Sequence, residues 1–158
     1  MKIAAHGEPF LLRYECPGQE LHHGSSQWVQ SVSRNAQIAV LTSALASIEG
    51  LCAFARRYRE GLISEADLTQ TCAIFKHDFL RRYSVLVVDP LVLDKAQQLA
   101  LRHPLRAYDA VHLATASLAH QRLTQAGETP LVFVCADERL LAVAQAEGLV
   151  FENPNRYP

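Results

Sequence analysis

A run of small and apolar residues between positions 106 and 119 limits most strongly what this chain can fold into. Read as a helix, the run is apolar almost all round, and a helix without a polar face belongs inside a domain. Asp109 and His112 nonetheless lie within it, three residues apart and therefore close on the helix surface. An ionised carboxylate in such surroundings is costly unless a cation, an arginine or a metal ion compensates it.

The simplest partner for Asp109 is Arg106, three residues earlier on the same helix. In that interpretation Asp109 belongs to a structural ion pair, and His112 is a core histidine with a satisfied hydrogen bond. The alternative is a functional site built around Asp109. The helix alone does not decide between the two, so the choice depends on where the remaining acidic residues of the chain lie.

The composition predicts one globular domain of 158 residues in the cytoplasm. No apolar run reaches the roughly 20 residues that span a bilayer, and residues 1–6 have no apolar signal-peptide core. The net charge of −1 means that contact with nucleic acid would need a local basic patch or a metal ion. The four cysteines are widely spaced, which favours small buried apolar residues over a zinc site; they are Cys16, Cys52, Cys72 and Cys135.

Short apolar runs alternate with helical patterns along the whole chain. Strands are predicted at residues 2–5, 38–43, 84–88, 131–136 and 149–151, and helices at residues 9–14, 20–34, 44–60, 64–83, 91–102, 106–125 and 138–147, with a polar tail at 152–158. This alternation predicts a three-layer α/β domain with a mainly parallel sheet. In such sheets, ligands bind at the carboxyl ends of the strands.

Two further acids accompany Asp109, and each has a simple structural explanation. Glu49 lies near the start of helix 44–60, beside its apolar stripe, where a solvated carboxylate is favourable through the helix dipole. Asp137 follows the apolar run 131–136 and is suited to cap the next helix, which is worth about 1 kcal/mol. Either residue alone would therefore be interpreted as structural.

Taken together, these acids lie within three of four motifs that occur in order along the chain. The motifs are Leu11-Leu-Arg-Tyr14 with Pro17-Gly18, Ser47-Ile-Glu49, Leu105-Arg-Ala-Tyr-Asp109-Ala-Val-His-Leu-Ala114 and Ala136-Asp-Glu-Arg-Leu140. With them the chain resembles a PIN domain, and most closely the toxin halves of bacterial toxin–antitoxin pairs. The run around Asp109 is the most specific of the four.

The resemblance implies a single PIN-like domain over residues 1–158 that hydrolyses RNA with Mg²⁺ or Mn²⁺. Glu49, Asp109 and Asp137 match three of the family's catalytic, metal-binding acids. Clustered carboxylates repel one another by about 1–4 kcal/mol per pair at 4 Å, and Mg²⁺ relieves that repulsion because it takes oxygen ligands. Such an ion activates water for attack on phosphorus and stabilises the leaving oxygen. The family also implies an antitoxin partner and a homodimer.

The chain departs from the family at the first acidic position, where it has His6. Glu8 stands where Ser or Thr is usual, and could supply the missing oxygen ligand. An imidazole ligand shifts the preference of a site away from Mg²⁺ and towards softer divalent ions. Two functions are therefore open: a metal-dependent endoribonuclease completed by His6 or Glu8, or a PIN-fold binding module with a weakened site.

A phosphotransfer or receiver-like domain is a third interpretation. Against it, no pair of Asp residues follows the first predicted strand, and no glycine-rich phosphate loop is present. We also expect a partner-binding apolar patch between the first helix and the helices 44–60 and 64–83, because Phe10, Phe75 and Phe79 exceed what one small core layer needs.

Overall fold

The structure is a computed structural model that describes the backbone of residues 10–13 and, in full, residues 28, 31, 32, 35 and 38–157. His6, Glu8 and Cys16 lie outside these ranges, as does the predicted strand 2–5. In the region predicted as helix 20–34, Trp28, Ser31 and Val32 have helical backbone conformation.

The described residues form a mixed α/β fold around one five-stranded sheet whose described pairings are all parallel. The strands are β1 (Phe10–Arg13), β2 (Ala39–Ser43), β3 (Ser84–Leu86), β4 (Val132–Val134) and β5 (Val150–Glu152). Their order across the sheet is β3-β2-β1-β4-β5. The prediction of an α/β fold with a parallel sheet is therefore confirmed.

The strand order changes direction at β1, the centre of the sheet. Leu11 is aligned with Val40 of β2 on one side and with Val132 of β4 on the other. From β1 the chain builds β2 and β3 outwards, and then returns to build β4 and β5 on the opposite side. In open parallel sheets, ligands bind at the carboxyl ends of the strands next to such a reversal. The ends of β1, β2 and β4 are therefore the expected location of a site.

The predicted helix 9–14 is wrong, because Phe10–Arg13 is the central strand. Pro9 suits the first position of a helix, which favoured that interpretation. However, a short apolar run such as Phe10-Leu-Leu12 does not distinguish a helix from a strand by periodicity. A strand with parallel neighbours on both edges usually has a continuous apolar sequence, and this tertiary context decided the conformation.

Five α-helices connect and cover the described strands: α1 (Leu45–Arg59), α2 (Glu65–Arg82), α3 (Pro90–Arg102), α4 (Ala107–Gln125) and α5 (Glu138–Ala146). Local chemistry explains where they begin and end. Ser64 and Asp67 form the predicted capping box of α2, with the Ser64 Oγ atom accepting from the Asp67 backbone N–H at 3.1 Å. Gly61 ends the turn after α1 with φ +72°, a conformation that favours glycine.

Helix α4 passes through the core of the domain, as its all-round apolar sequence predicted. Its buried residues are Ala110, His112, Leu113, Ala114, Thr115, Ala116, Ser117, Ala119 and Leu123. The apolar ones pack with Leu99 of α3, Phe133 of β4 and Leu141 of α5 in one hydrophobic cluster. The position of α4 therefore brings His112 to the interior of the molecule, while Asp109, in its first turn, is half-buried.

Helices α1 and α2 form a hairpin with little buried surface. No apolar residue of α1 is buried, and Ile48 is 56% exposed. The predicted apolar stripe of this helix (Ala44, Leu45, Ile48, Leu51, Cys52 and Ala55) is therefore not a core face among the described residues. Cys52 is exposed as well, so its predicted burial is also wrong.

The aromatic residues of the hairpin pack within it. Phe75 contacts Phe54 and Phe79, with ring centroids 5.4 and 5.5 Å apart. Phe79 is buried and Phe75 is half-buried, so neither provides the exposed patch that was predicted from them; the side chain of Phe10 is outside the description. Gly50 permits this packing, because a Cβ atom there would lie 2.5 Å from the Phe75 Cζ atom.

The predicted polar tail is part of the fold. Glu152 ends β5, and Pro154–Arg156 form a 3-10 helix. Asn153 is buried, and its side-chain amide donates to the Glu138 Oε1 atom at 2.6 Å. Tyr157 stacks on Trp28 with ring centroids 4.4 Å apart. These contacts could not be foreseen, because they depend on partners far away in the sequence.

In the ranges that the structure describes, no helix combines the length and the apolar character needed to cross a membrane.

Candidate active site

Asp137 lies immediately beyond β4, at the carboxyl edge of the sheet. Its Oδ1 atom accepts hydrogen bonds from the backbone N–H groups of Arg139 and Leu140, at 2.8 and 3.4 Å, and so caps α5 as predicted. Its Oδ2 atom pairs with the Arg139 guanidinium at 3.2 Å. The thiol of Cys135 accepts from the Asp137 backbone N–H at 3.3 Å. Asp137 is thus held at the end of the strand from both sides.

These contacts also set the charge of Asp137. Burial raises the pKa of the Asp137 carboxyl, but the hydrogen bonds from the Arg139 side chain and from the backbone N–H groups of Arg139 and Leu140 outweigh it. The pKa consequently lies below its ordinary value, and Asp137 is an anion at neutral pH. Because the Arg139 side chain is 79% exposed, its ion pair with Asp137 is screened by solvent and contributes little to stability.

Glu49 lies in the second turn of α1, the helix that begins directly after β2. Its side chain is only 9% exposed, so it is not the solvated boundary residue that its position beside the stripe suggested. The Glu49 Oε2 atom lies 2.7 Å from the Nε2 atom of His112, which is itself 1% exposed. The two side chains therefore form a buried contact between α1 and α4.

The direction of this hydrogen bond follows from the chemistry of the two groups. An ionised carboxylate can only accept, so the Nε2 atom of His112 carries the proton that is donated to Glu49. The second carboxylate oxygen, Oε1, is buried and has no hydrogen-bond partner among the described residues. An unsatisfied buried acceptor costs about 1–3 kcal/mol, and more when it is charged. The Oε1 atom is therefore suited to bind a cation.

Asp109 lies in the first turn of α4, three residues before His112. Residues at this spacing are neighbours on a helix, with Cβ atoms about 5–6 Å apart. Because His112 contacts Glu49, the carboxyl groups of Asp109 and Glu49 belong to the same region of the α1–α4 contact. Glu49 and Asp109 are two of the three acids that the sequence motifs predict to share a site.

Asp137 approaches this region from the other side of β1. Adjacent strands lie about 4.8 Å apart, so the ends of β2 and β4 are separated by about 10 Å. Over the part of the chain that the structure describes, no group of three or more His, Cys, Asp or Glu side chains is arranged to hold a metal ion. The fourth predicted ligand, His6 or Glu8, lies outside that part, and its place in the site stays a prediction.

A second cluster of charges was missed in the sequence. Glu147, at the end of α5, contacts Lys95 at 3.4 Å, Arg102 at 3.1 Å and His103 at 3.0 Å. Burial raises the pKa of the Glu147 carboxyl, but the hydrogen bond from His103 and the charges of Arg102 and Lys95 lower it further, so that the net shift is downwards. The cluster joins α3 to α5, and basic residues near the end of α3 were its only signal.

Comparison with known proteins gives a fold but no family. No family model matches the chain, and no curated protein matches it. Among solved structures, the chain is similar to the crystal structure of PAE2754 from Pyrobaculum aerophilum, with a TM-score of 0.56 and 21% sequence identity. The similarity covers 91% of this chain and 83% of PAE2754. At this identity, the chain and PAE2754 share a fold, and nothing about activity follows.

Proposed function

We propose that the chain is a three-layer PIN-type domain that acts as a divalent-metal-dependent endoribonuclease. Glu49, Asp109 and Asp137 would hold Mg²⁺ or Mn²⁺, and His6 or Glu8 would complete the ligand set. The substrate would be single-stranded or structured RNA in the cytoplasm. The proposal rests on the PIN-like motifs of the sequence together with the contacts around Glu49.

The observation that supports this function best is the state of the Glu49 carboxylate. One oxygen is held by His112 at 2.7 Å, while the other is buried without a partner among the described residues. A carboxylate that serves only as a structural ion pair would gain by satisfying both oxygens. A buried oxygen that stays available, on a carboxylate held by a histidine one helical turn from Asp109, is suited to a hard divalent cation.

The residues of the chain would divide the work between them. Glu49 would supply a buried anionic oxygen, the half-buried Asp109 a second, and Asp137 would supply an oxygen at the carboxyl end of β4. To do so, Asp137 would release the Arg139 guanidinium, which the exposure of Arg139 makes easy. The divalent cation would supply Lewis-acid stabilisation of the charge that develops during phosphodiester hydrolysis.

A second candidate function is a PIN-fold binding module for RNA or a protein partner. It is favoured by the contacts of Asp137, because one carboxylate oxygen caps α5 and the other pairs with Arg139. It is also favoured by the lack of a three-ligand group among the described residues. In this function the acids would be structural, and the surface of the domain would carry the interaction.

An RNA cleavage assay decides between the two functions. Native protein and the variants Glu49→Gln, Asp109→Asn and Asp137→Asn would be incubated with single-stranded RNA in Mg²⁺, in Mn²⁺ and in EDTA. Cleavage that needs the metal and is lost in all three variants supports the nuclease. Binding of RNA without cleavage, unchanged in the variants, supports the binding module.

The proposal includes partners for the exposed face of α1. Ile48 and Cys52 are exposed on this helix, although the sequence places them in an apolar stripe. Exposed apolar residues grouped on one helix are typical of a surface that a second protein covers. We propose an antitoxin protein or a second copy of the chain as the protein that covers it.

A further inference from the structure

We infer that His112 is a positioning residue for Glu49, fixing the carboxylate so that its second oxygen is available to a divalent cation. The inference rests on the proposed metal site, and it assigns a function to a residue that supplies no ligand atom of its own. It follows from the contact between two buried side chains that the sequence places 63 positions apart.

The geometry of the contact supports this role. A glutamate carboxylate can rotate about its last bond, and a single short hydrogen bond limits that rotation. Because His112 donates to the Oε2 atom at 2.7 Å, the Oε1 atom is left to face another group. The structure records Oε1 as buried and without a hydrogen-bond partner in the described ranges. The Oε2 atom of Glu49 is thus hydrogen-bonded within the protein, and the Oε1 atom is available to a ligand.

The surroundings of His112 make it a rigid donor. The imidazole is 1% exposed, and its neighbours on α4, Leu113 and Ala114, are fully buried. A histidine ring has only two side-chain torsions, and packing in the core restricts both. Sites built from side chains whose rotamers are locked by packing hold their geometry better than sites on loops. α4 also carries Asp109, so one rigid helix would set the positions of both acids.

Metal-binding carboxylates are commonly held by hydrogen bonds of this kind. Loss of such a supporting group lowers metal affinity by about 10- to 100-fold. A purely structural contact would behave differently, because its removal would lower the stability of the protein and leave the intrinsic metal affinity of the folded molecules unchanged. The two roles can therefore be separated by measuring metal binding directly.

The test compares two amide substitutions at one position. Gln in His112→Gln can place its amide N–H near the original Nε2 atom, whereas Asn in His112→Asn is one methylene shorter and cannot reach Glu49. The control is His120→Asn, on the same helix about 12 Å further along. Mn²⁺ binding is measured by electron paramagnetic resonance of the free ion, at a temperature where melts in EDTA show each protein folded.

The expected result is Mn²⁺ binding about 10- to 100-fold weaker in His112→Asn, and within about threefold of native in His112→Gln and His120→Asn. In a Glu49→Gln background, His112→Asn should cause little further loss, because its effect acts through Glu49. Equal Mn²⁺ affinity in native protein and His112→Asn would overturn the inference and leave the proposed function intact. A full second loss in the Glu49→Gln background would overturn it too.

The native protein provides a measurement that does not depend on the folding of any variant. Titration with Mg²⁺ should shift the Nε2 resonance of His112 in a nitrogen-15 spectrum and leave that of His120 unchanged. If Mg²⁺ or Mn²⁺ binds without changing the His112 resonance, the positioning role is wrong. If the native protein binds neither ion, the proposed function fails together with the inference.

Discussion

The Nε2 atom of His112 and the Oε2 atom of Glu49 lie 2.7 Å apart in the interior of the protein, although 63 positions separate the residues in the chain. The contact joins α1, which follows the second strand, to the central helix α4. It also explains how the interior accommodates two polar groups that local sequence patterns describe poorly. The His112 Nε2 atom and the Glu49 Oε2 atom form a hydrogen bond with each other, and the Glu49 Oε1 atom can still accept another.

Asp109→Asn should leave the melting temperature of the metal-free protein unchanged or raise it. The substitution removes a negative charge beside Glu49, and so relieves repulsion within the acid cluster. If Asp109 is instead paired with Arg106, whose side chain is exposed, loss of the pair should destabilise the protein by up to about 1 kcal/mol. Thermal melts in EDTA measure the difference, with the exposed Asp94→Asn as control. A fall in melting temperature for Asp109→Asn alone would favour the structural ion pair.

Two substitutions at Asp137 should separate its capping role from a role in metal binding. Asn caps helices as well as Asp does, so Asp137→Asn should change the free energy of unfolding little, whereas Asp137→Ala should cost about 1 kcal/mol. Both remove the anionic ligand, so both should lose metal-dependent RNA cleavage. Urea denaturation and the cleavage assay measure the two effects. Full cleavage by Asp137→Asn would show that the residue serves only as a cap.

Glu147→Gln should destabilise the protein at neutral pH but much less in acid. The pKa of Glu147 is lowered in the folded state, so its contribution to stability is present above the unfolded pKa of about 4.3 and is lost as the pH falls through the folded pKa. At pH 7 we expect a loss of about 1–3 kcal/mol, since the Glu147 side chain is only 10% exposed and contacts Lys95, Arg102 and His103.

Urea denaturation at pH 7 and at pH 3 measures the effect of Glu147→Gln, with the exposed Glu65→Gln as control. The difference between native protein and Glu147→Gln should narrow at pH 3, where the native carboxyl takes up protons. An equal difference in the free energy of unfolding at pH 7 and at pH 3 would mean that Glu147→Gln acts by disturbing the packing of α3 and α5, and not by removing a charge.

His6→Asp should increase RNA cleavage in Mg²⁺. If the proposed PIN-type site is correct, His6 leaves it one anionic oxygen short of the motif, so native protein should cleave weakly in Mg²⁺ and better in Mn²⁺, which accepts imidazole more readily. A cleavage assay with both proteins in each metal measures this. If Glu8 already supplies the oxygen, native protein will cleave well in Mg²⁺ and the substitution will change little. If neither protein cleaves RNA, the binding-module function is preferred.

Ile48→Asp should prevent self-association. Ile48 is 56% exposed on α1, and a charge there would be desolvated if a second copy covered the helix. Light scattering should show a native dimer and a monomeric variant, with the dimer affinity falling at least about tenfold. Leu101→Asp, at an 89% exposed position on α3, is the matched control. A monomeric native protein would leave an antitoxin as the proposed partner.

Local rules predicted most of the fold between residues 38 and 152. The capping box at Ser64 and the glycine after α1 each act over a few residues, so the pattern alone located those helix ends. The core position of α4 followed from its lack of a polar face. At Phe10–Arg13 the local rules failed, because the run is short enough for either conformation and its neighbours in the sheet decided it.

The site was less predictable than the fold. The motifs identified Glu49, Asp109 and Asp137 as a group, but nothing in the local sequence indicated that Glu49 is buried against His112. Its position beside an apolar stripe suggested a solvated residue, but in the fold its side chain lies against the buried His112 of α4 and is 9% exposed. Contacts between side chains far apart in the chain depend on helix placement, which short-range patterns do not specify.

The close approach of Gly50 to Phe75 makes the two positions interdependent. A Cβ atom at position 50 would lie 2.5 Å from the Phe75 ring, so any larger residue there requires Phe75 to move or to be replaced by a smaller side chain. Relatives of this chain that keep the hairpin should therefore vary at the two positions together, with a bulkier residue at one accompanied by a smaller residue at the other. Gly50→Ala combined with Phe75→Leu should reproduce that exchange, and should be more stable than Gly50→Ala alone.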